Sequence, residues 1–320
     1  MNTPPSRLFA ILTLAPWLLL PCGIGLLLPL VGRALMPSAG PLAWVIDLAA
    51  HWQWLYAALW LLLCLTAAVQ APHWLLLLPF SLLPLATTST ALPKHDKGAP
   101  ALVVAAANVH VGNRNPAPLV AWLKQQPADV VILSELSEPY AKALSLALGD
   151  DYPYRELHPK NSPFGIGIVS QLPLRDAVLT DDSDGVRRLT VEVTAGDRSA
   201  RIVAAHPMPP LAPEWHRKRD QLLSTIVQQT GGMPTVVAGD LNATPWSTAL
   251  LAAERTGLRR TTSLAPTWPR SGRGVIGIPI DHILATPHWQ RGNSGRGPDI
   301  GSDHYPVFAS LHWIEGRVSN

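Results

Sequence analysis

The chain has 320 residues, 48% hydrophobic and only 15% charged, with 25 Lys and Arg against 22 Asp and Glu for a formal net charge of +3. Setting aside Arg7, Arg33 and Asp47, the charged residues before Lys94, leaves 23 basic and 21 acidic residues, a net of +2. So mild a balance excludes a strongly basic nucleic-acid-binding surface. The two cysteines, Cys22 and Cys64, both fall before Lys94, which excludes a disulfide framework or Cys-based zinc site in the remainder.

From Leu8 to Leu30 the chain is almost wholly apolar and is bounded by Arg7 and Arg33. At about 1.5 Å per residue this run crosses a bilayer core of ~30 Å. Pro41 to Ala50 is too short to span and carries Asp47, so an interfacial segment is expected. Two further apolar runs, 54–69 and 74–88, are separated by Gln70-Ala71-Pro72-His73. Their Trp52, Trp54 and Trp74 suit the aromatic belt of a membrane interface. A cleaved signal peptide would not be followed by two such runs, and core helices would show polar faces. Residues 1–93 are therefore expected to anchor the chain in a bilayer through about three helices (8–30, 54–69 and 74–88). Under the positive-inside rule Arg7 places the amino terminus in the cytoplasm, and three spans put the remainder outside, while Lys94 and Lys97 pull the other way.

Thr87 to Gly98 reads as a polar linker into residues 94–320, enough for one large α/β domain. Short apolar runs at 102–107, 130–133, 165–169, 189–193, 201–205, 235–238, 280–285 and 307–311 predict buried strands. Helices are expected at 116–126, 139–148, 214–229 and 247–256, and a hairpin across Gly196-Asp197.

Six motifs sit at or just beyond these strands: Ala107-Asn108-Val109-His110, Ser134-Glu135-Leu136, Ala205-His206-Pro207, Gly239-Asp240-Leu241-Asn242, Pro279-Ile280-Asp281-His282-Ile283 and Gly301-Ser302-Asp303-His304-Tyr305-Pro306. Each alone is weak. Together they supply what phosphodiester hydrolysis requires: oxygen ligands for a divalent cation, and groups that position water and bind an anionic phosphate. The order of the six resembles that of the endonuclease/exonuclease/phosphatase superfamily, over about Pro100 to His312.

That resemblance implies a four-layer α/β/β/α sandwich of the DNase-I-like type, preceded here by a transmembrane segment, in a membrane-anchored bacterial-type member. It implies Mg²⁺ (or Mn²⁺) held by Glu135 with Asn108 and Asp303. Asp240 would orient water, Asn242 and His206 would contact phosphate, and His304 would be held by Asp281. The implied substrate is a phosphate ester: nucleic acid, nucleotide or phospholipid headgroup. The lipid bilayer is the other expected partner, and no protein partner is indicated. The expected location is a bacterial inner membrane with the hydrolase on its periplasmic side.

His282 is expected to be structural and His110 a rim residue. Phe164 to Gln171 offers no acid or tyrosine of the kind some relatives carry, and ends in Gln171 where they often place Arg. Trp268, Arg270 and Arg273 lie in a Gly-rich segment where they could clamp a phosphate or stack on a base, though a solvated loop is the simpler reading. Arg217-Lys218-Arg219 reads most simply as an exposed helix face, which could also meet anionic lipid headgroups. A rival reading is an inactive family member acting as a membrane-bound binding or scaffold protein; the complete residue set argues against it. A transport role for the apolar runs fails because they lack ionisable residues away from their edges.

Overall fold

The computed structural model describes residues 7–35, 40–95, 97–182, 184–228 and 232–314. Asp96 of the expected linker, Gln229 of an expected helix and residues 315–320 lie outside these, as does the side chain of Arg7, on which the expected topology rests.

The amino-terminal part folds as α1 (Arg7–Leu35), α2 (Pro41–Ala50), α3 (Gln53–Ala68), a 3₁₀ segment (Pro72–Leu82) and α4 (Leu83–Thr87). Pro41 and Pro72 each start an element, where a missing N–H is tolerated. α1 packs on α3, with Gln53 Nε2 donating to Gly25 O at 2.9 Å, and α3 holds the 3₁₀ segment through Trp60 Nε1, which donates to Leu77 O at 2.8 Å. Trp17, Leu20, Leu62 and Leu76 point outward, fully or largely exposed. Among the described residues one helix, Leu14–Ala34, is long and apolar enough to cross a membrane; α2 and α3 pass that test together, bent by 62°, and Pro72–Thr87 is shorter.

The rest alternates strands and helices: β1 (Leu102–Asn108), α5 (Ala117–Gln125), β2 (Val130–Ser134), α6 (Glu138–Leu148), β3 (Tyr154–His158), β4 (Ile166–Ser170), β5 (Arg175–Asp181), β6 (Arg187–Ala195), β7 (Arg198–Ala205) and α7 (Pro213–Gln228). There follow β8 (Thr235–Asp240), α8 (Thr248–Arg255), β9 (Arg259–Arg260), β10 (Asp281–Ala285), β11 (Trp289–Arg296) and β12 (Val307–Trp313). They form two sheets, ordered β11-β12-β1-β2-β4-β3 and β5-β6-β7-β8-β10-β9. Val104, Ile132, Ile168, Val191, Ile202, Val236 and Ile283 fill the space between the sheets. α5 and α6 cover the first sheet through Leu119, Leu123, Tyr140 and Leu144, and α7 and α8 cover the second through Leu223, Ile226 and Leu250. The result is the expected α/β/β/α sandwich, and the hairpin across Gly196 is β6–β7.

One parallel pair lies inside each sheet, β1 with β2 and β7 with β8. Parallel neighbours end on the same side, so Asn108, Ser134, Ala205 and Asp240 close four strands near one edge of the sandwich. This topology delivers the loops that carry the motifs to one place.

The acid of α2 is not at a surface: Asp47 is buried against α7 and α8. One expectation needs correction. Arg219 is not on an exposed face but is fully buried, because Asp47 and Asp220 supply its counter-charges. The polar stretch after α4 is not a loose linker. Ser89 N donates to Pro245 O and Leu92 N to Arg260 O, while Ala91 bridges Arg260 on β9 and Lys94 bridges Arg291 on β11.

Candidate active site

Asn108 closes β1 and is fully buried. Its Nδ2 donates to Glu135 Oε1 at 2.9 Å and to Asp240 Oδ2 at 3.1 Å, so one polar atom of the first sheet bridges two carboxylates from both sheets. Its Oδ1 accepts from His110 N at 3.0 Å. Glu135 follows β2 in a left-handed backbone (φ 56°), an uncommon state for a residue with a side chain. Glu135 Oε2 accepts from Val111 N at 3.0 Å, tying the loop after β1 to the loop after β2.

The turn at Glu135 depends on a glycine. Leu136 N donates to Gly165 O, and a Cβ at Gly165 would lie 1.9 Å from Leu136 O. No real contact is so short, and a backbone carbonyl cannot swing aside. Gly165→Ala is expected to displace the Glu135 turn and cost about 1–3 kcal/mol of stability, as overpacking does. Chemical denaturation should register the loss together with weakened divalent-cation binding; unchanged values for both would refute the role given to this contact.

Asp240 ends β8, pairing in register with Asp281 at the start of β10. Asp240 Oδ1 accepts from Asn242 N at 3.0 Å. Its Oδ2 is approached by Asn108 Nδ2 and, at 3.4 and 3.7 Å, by His206 Nε2 and His304 Nε2. Burial would raise the Asp240 pKa, but the charges of His304 and His206 hold it well below the usual carboxylate range. His304 Nδ1 faces Asp281 Oδ2 at 2.9 Å, a bond that fixes the tautomer and aims Nε2 at the site. Burial opposes charge on His304, yet the Asp281 and Asp240 carboxylates outweigh it and raise its pKa to about 10. His206 is likewise raised despite burial, by the hydrogen bond and charge of Asp240 and the charge of Glu135. Its Nδ1 meets Pro163 O at 3.1 Å, leaving Nε2 for the site. His304 is thus a cation at neutral pH and His206 is shifted toward its charged form, which suits an anionic phosphate.

Asn242 also sits in a left-handed backbone (φ 48°), its Nδ2 donating to Pro207 O at 3.0 Å. The structure therefore gathers Asn108, Glu135, His206, Asp240, Asp281 and His304, with Asn242 bonded to the Asp240 carboxylate. Asp303 stands apart. It is exposed, accepts from Trp268 Nε1 at 3.1 Å and belongs to neither three-residue cluster able to hold a metal among the described residues, Glu135–His206–Asp240 and Asp240–Asp281–His304. Its carboxylate lies against the indole at the rim, near enough to His304 for its charge to help raise that imidazole's pKa. Within the first cluster, ligand atoms of Glu135, His206 and Asp240 lie within 4.8 Å of one another. Two carboxylates converging on one point, where an amide N–H now bridges them, fit a hard divalent cation.

His282 points away. Its Nε2 lies 2.9 Å from Ala243 O and 3.0 Å from Pro279 O, and burial with nearby Arg260 pushes its pKa down to about 4, a neutral structural residue. Trp268 and Arg270, for which a solvated loop is the simpler sequence reading, lie at the rim of the site. The Trp268 ring lies 6.3 Å from that of His304, and Arg270 Nε donates to Ser302 O at 2.6 Å. Phe164, in the stretch lacking the acid of some relatives, instead sets its ring 6.2 Å from His206.

A DNase-I-like sandwich whose strand ends converge on carboxylates and histidines defines the class, a phosphoric ester hydrolase. The chain belongs to the endonuclease/exonuclease/phosphatase family, whose profile matches residues 105–304. No curated protein matches it in sequence. Solved structures share its fold. The endonuclease/exonuclease/phosphatase from Beutenbergia cavernae is 20% identical, with a TM-score of 0.57 over 66% of this chain and 71% of that one. TDP2 of D. rerio, complexed with a single-strand DNA product, is 17% identical, with a TM-score of 0.55 over 66% of this chain and 98% of that one. The 3′ phosphatase NExo from Neisseria, bound to a product DNA hairpin, is 16% identical, with a TM-score of 0.54 over 66% of this chain and all (100%) of that one.

Proposed function

We propose that the chain is a membrane-anchored phosphodiesterase using Mg²⁺ or Mn²⁺, with residues 1–93 as the anchor and 94–320 as the hydrolase. The observation that carries the chemistry is the convergence of Asn108, His206 and His304 on Asp240 Oδ2 beside Glu135. Glu135 and Asp240 would hold the cation, with Asn108 turning its amide oxygen toward it. When bound, such a cation draws charge from phosphoryl oxygens and acidifies a water. Asp240, ionised throughout the neutral range, would accept a hydrogen bond from the attacking water and align it. His304 and His206 donate from Nε2 to phosphate oxygens, and Asn242 keeps a second amide hydrogen for the same task.

Several features support a bilayer setting. α1 provides a long apolar helix, and apolar side chains cover the outside of the helical bundle. The 3₁₀ segment and α4 rise together by about 30 Å, because a 3₁₀ helix climbs faster per residue. A groove of about 580 Å³ runs between Trp54 and Leu85 of this bundle and Leu264, Arg273, Val275 and Arg296 beside the site loop. Val275 and Ile276 are exposed at its mouth. Apolar side chains with flanking arginines favour a phosphodiester presented by lipid over a soluble duplex.

The test is turnover by the full-length chain in phosphatidylcholine/phosphatidylglycerol vesicles, against the vesicle lipid, bis-p-nitrophenyl phosphate, RNA, and single- and double-stranded DNA. Turnover with Mg²⁺ or Mn²⁺, abolished by EDTA and greatest on the vesicle lipid, is the expected result. Metal-independent turnover would overturn the mechanism, and preference for nucleic acid would overturn the substrate assignment.

A further inference from the structure

Asp47 lies at the middle of α2, in the amino-terminal part, and is 1% exposed. Its Oδ2 accepts from Arg219 Nη2 of α7 at 2.8 Å. Its Oδ1 accepts from Thr248 N at 2.6 Å and Thr248 Oγ1 at 2.9 Å, at the start of α8. His51 and His216 each bring Nε2 to 3.4 Å from Oδ2. Arg219 is fully buried, and beyond Asp47 its fork also reaches Asp220 Oδ1, from Nε at 2.8 Å. The remaining arm, Nη1, donates to the backbone oxygen of Asn242 at 3.1 Å.

Asn242 is where this chain of contacts meets the site. Its left-handed backbone has an energetic cost and persists because its surroundings hold it. Three bonds do so: N to Asp240 Oδ1, Nδ2 to Pro207 O, and the carbonyl to Arg219. The Arg219 arm stays on that carbonyl only while the guanidinium is fixed from its other side. Asp220 alone cannot do this. Its carboxylate is partly solvated and lies on the same helix as Arg219, whereas Asp47 is dry and pulls from a different element.

We propose that Asp47 is a positioning residue for the hydrolase, acting through Arg219 on Asn242, so that the amino-terminal segment contributes to turnover as well as attachment. The inference rests on the reading that Asn242 and Asp240 belong to the active site. Docking of α2 completes the support of the catalytic loop, and displacing α2 strands a buried guanidinium beneath it.

The test is a double-mutant cycle in the full-length chain, in vesicles, with bis-p-nitrophenyl phosphate and saturating Mn²⁺. Asp47→Asn should lower kcat about 10–100-fold, as loss of a supporting contact behind a catalytic group does, and should lower the melting temperature. Adding Arg219→Gln removes the buried charge left with Asp220 as its one remaining counter-charge among the described residues, so the double variant should melt higher than Asp47→Asn. Its kcat should stay low, because Asn242 still lacks its donor, and KM should change little throughout. Strongly non-additive kcat losses would mark one shared route. Were kcat to recover along with melting temperature, or to stay at the native level in Asp47→Asn, the residue would be structural only and the proposal wrong. Glu135→Ala, run in parallel, separates the two ideas: persistent turnover there condemns the site assignment itself rather than its link to Asp47.

Discussion

Glu135→Ala is expected to cut divalent-cation-dependent turnover at least about a thousandfold, the loss of several kcal/mol of transition-state stabilisation. The fold should survive. Glu135 is half-buried, and among the described residues its side chain bonds Asn108 Nδ2 and Val111 N, neither of which anchors the core. Alanine inherits the same left-handed backbone, so the substitution isolates the carboxylate. Cation titration of turnover, with circular dichroism as a check on folding, reads both effects. Turnover within tenfold or so of native would remove Glu135 from the site.

Asp281→Asn should change the shape of the pH profile as well as its height. In the native chain His304 stays charged up to about pH 10 because Asp281 and Asp240 outweigh its burial. An amide at 281 can still accept from Nδ1, so the ring keeps its aim while losing half its electrostatic support. Burial then lowers the imidazole pKa, and the charged form is lost as pH rises through that lower value. The variant should decline between about pH 6 and 8 where the native enzyme does not. Near pH 8 the deficit should reach roughly 10²–10⁴-fold in kcat/KM. A uniform loss with an unshifted profile would show that the Asp281 charge does not set the protonation of His304.

The sequence disclosed the centre of the molecule better than its borders. β1, β2, β4, β7, β8 and β10 are continuous apolar runs because both of their faces are covered, and each run announces itself. β5 reads Arg-Asp-Ala-Val-Leu-Thr-Asp and is almost wholly exposed, while β11 is rich in Gly, Asn, Ser and Arg. Such edge strands are held by backbone pairing, which leaves no apolar signature. The site was legible for a related reason: Asn108, Glu135, His206 and Asp240 end or follow those same central strands, so strand patterning located their side chains. Arg219 was misread because, taken with its neighbours, it resembles a solvated charge. Its burial depends on Asp47, 172 residues away, as well as on adjacent Asp220, and no local pattern carries the distant half of that information. Trp268 and Arg270 were legible only as the less favoured reading, because the anchors of their Gly-rich loop lie on Ser302, Asp303 and Asp299.

The stitching of residues 89–94 to Pro245, β9 and β11 bears on reach. A free leash of six residues would let its cargo roam over some 12–15 Å. Here the leash is sewn down along its length, with Leu92 sunk between the sheets and Trp246 Nε1 donating to Pro84 O at 2.8 Å just ahead of it. Anchored as proposed, such a hydrolase could not go looking for its target. It would work like a fixed tool at one height above the lipid, cutting only what drifts laterally beneath it, with selectivity set by distance from the surface as much as by the chemistry of the cleft.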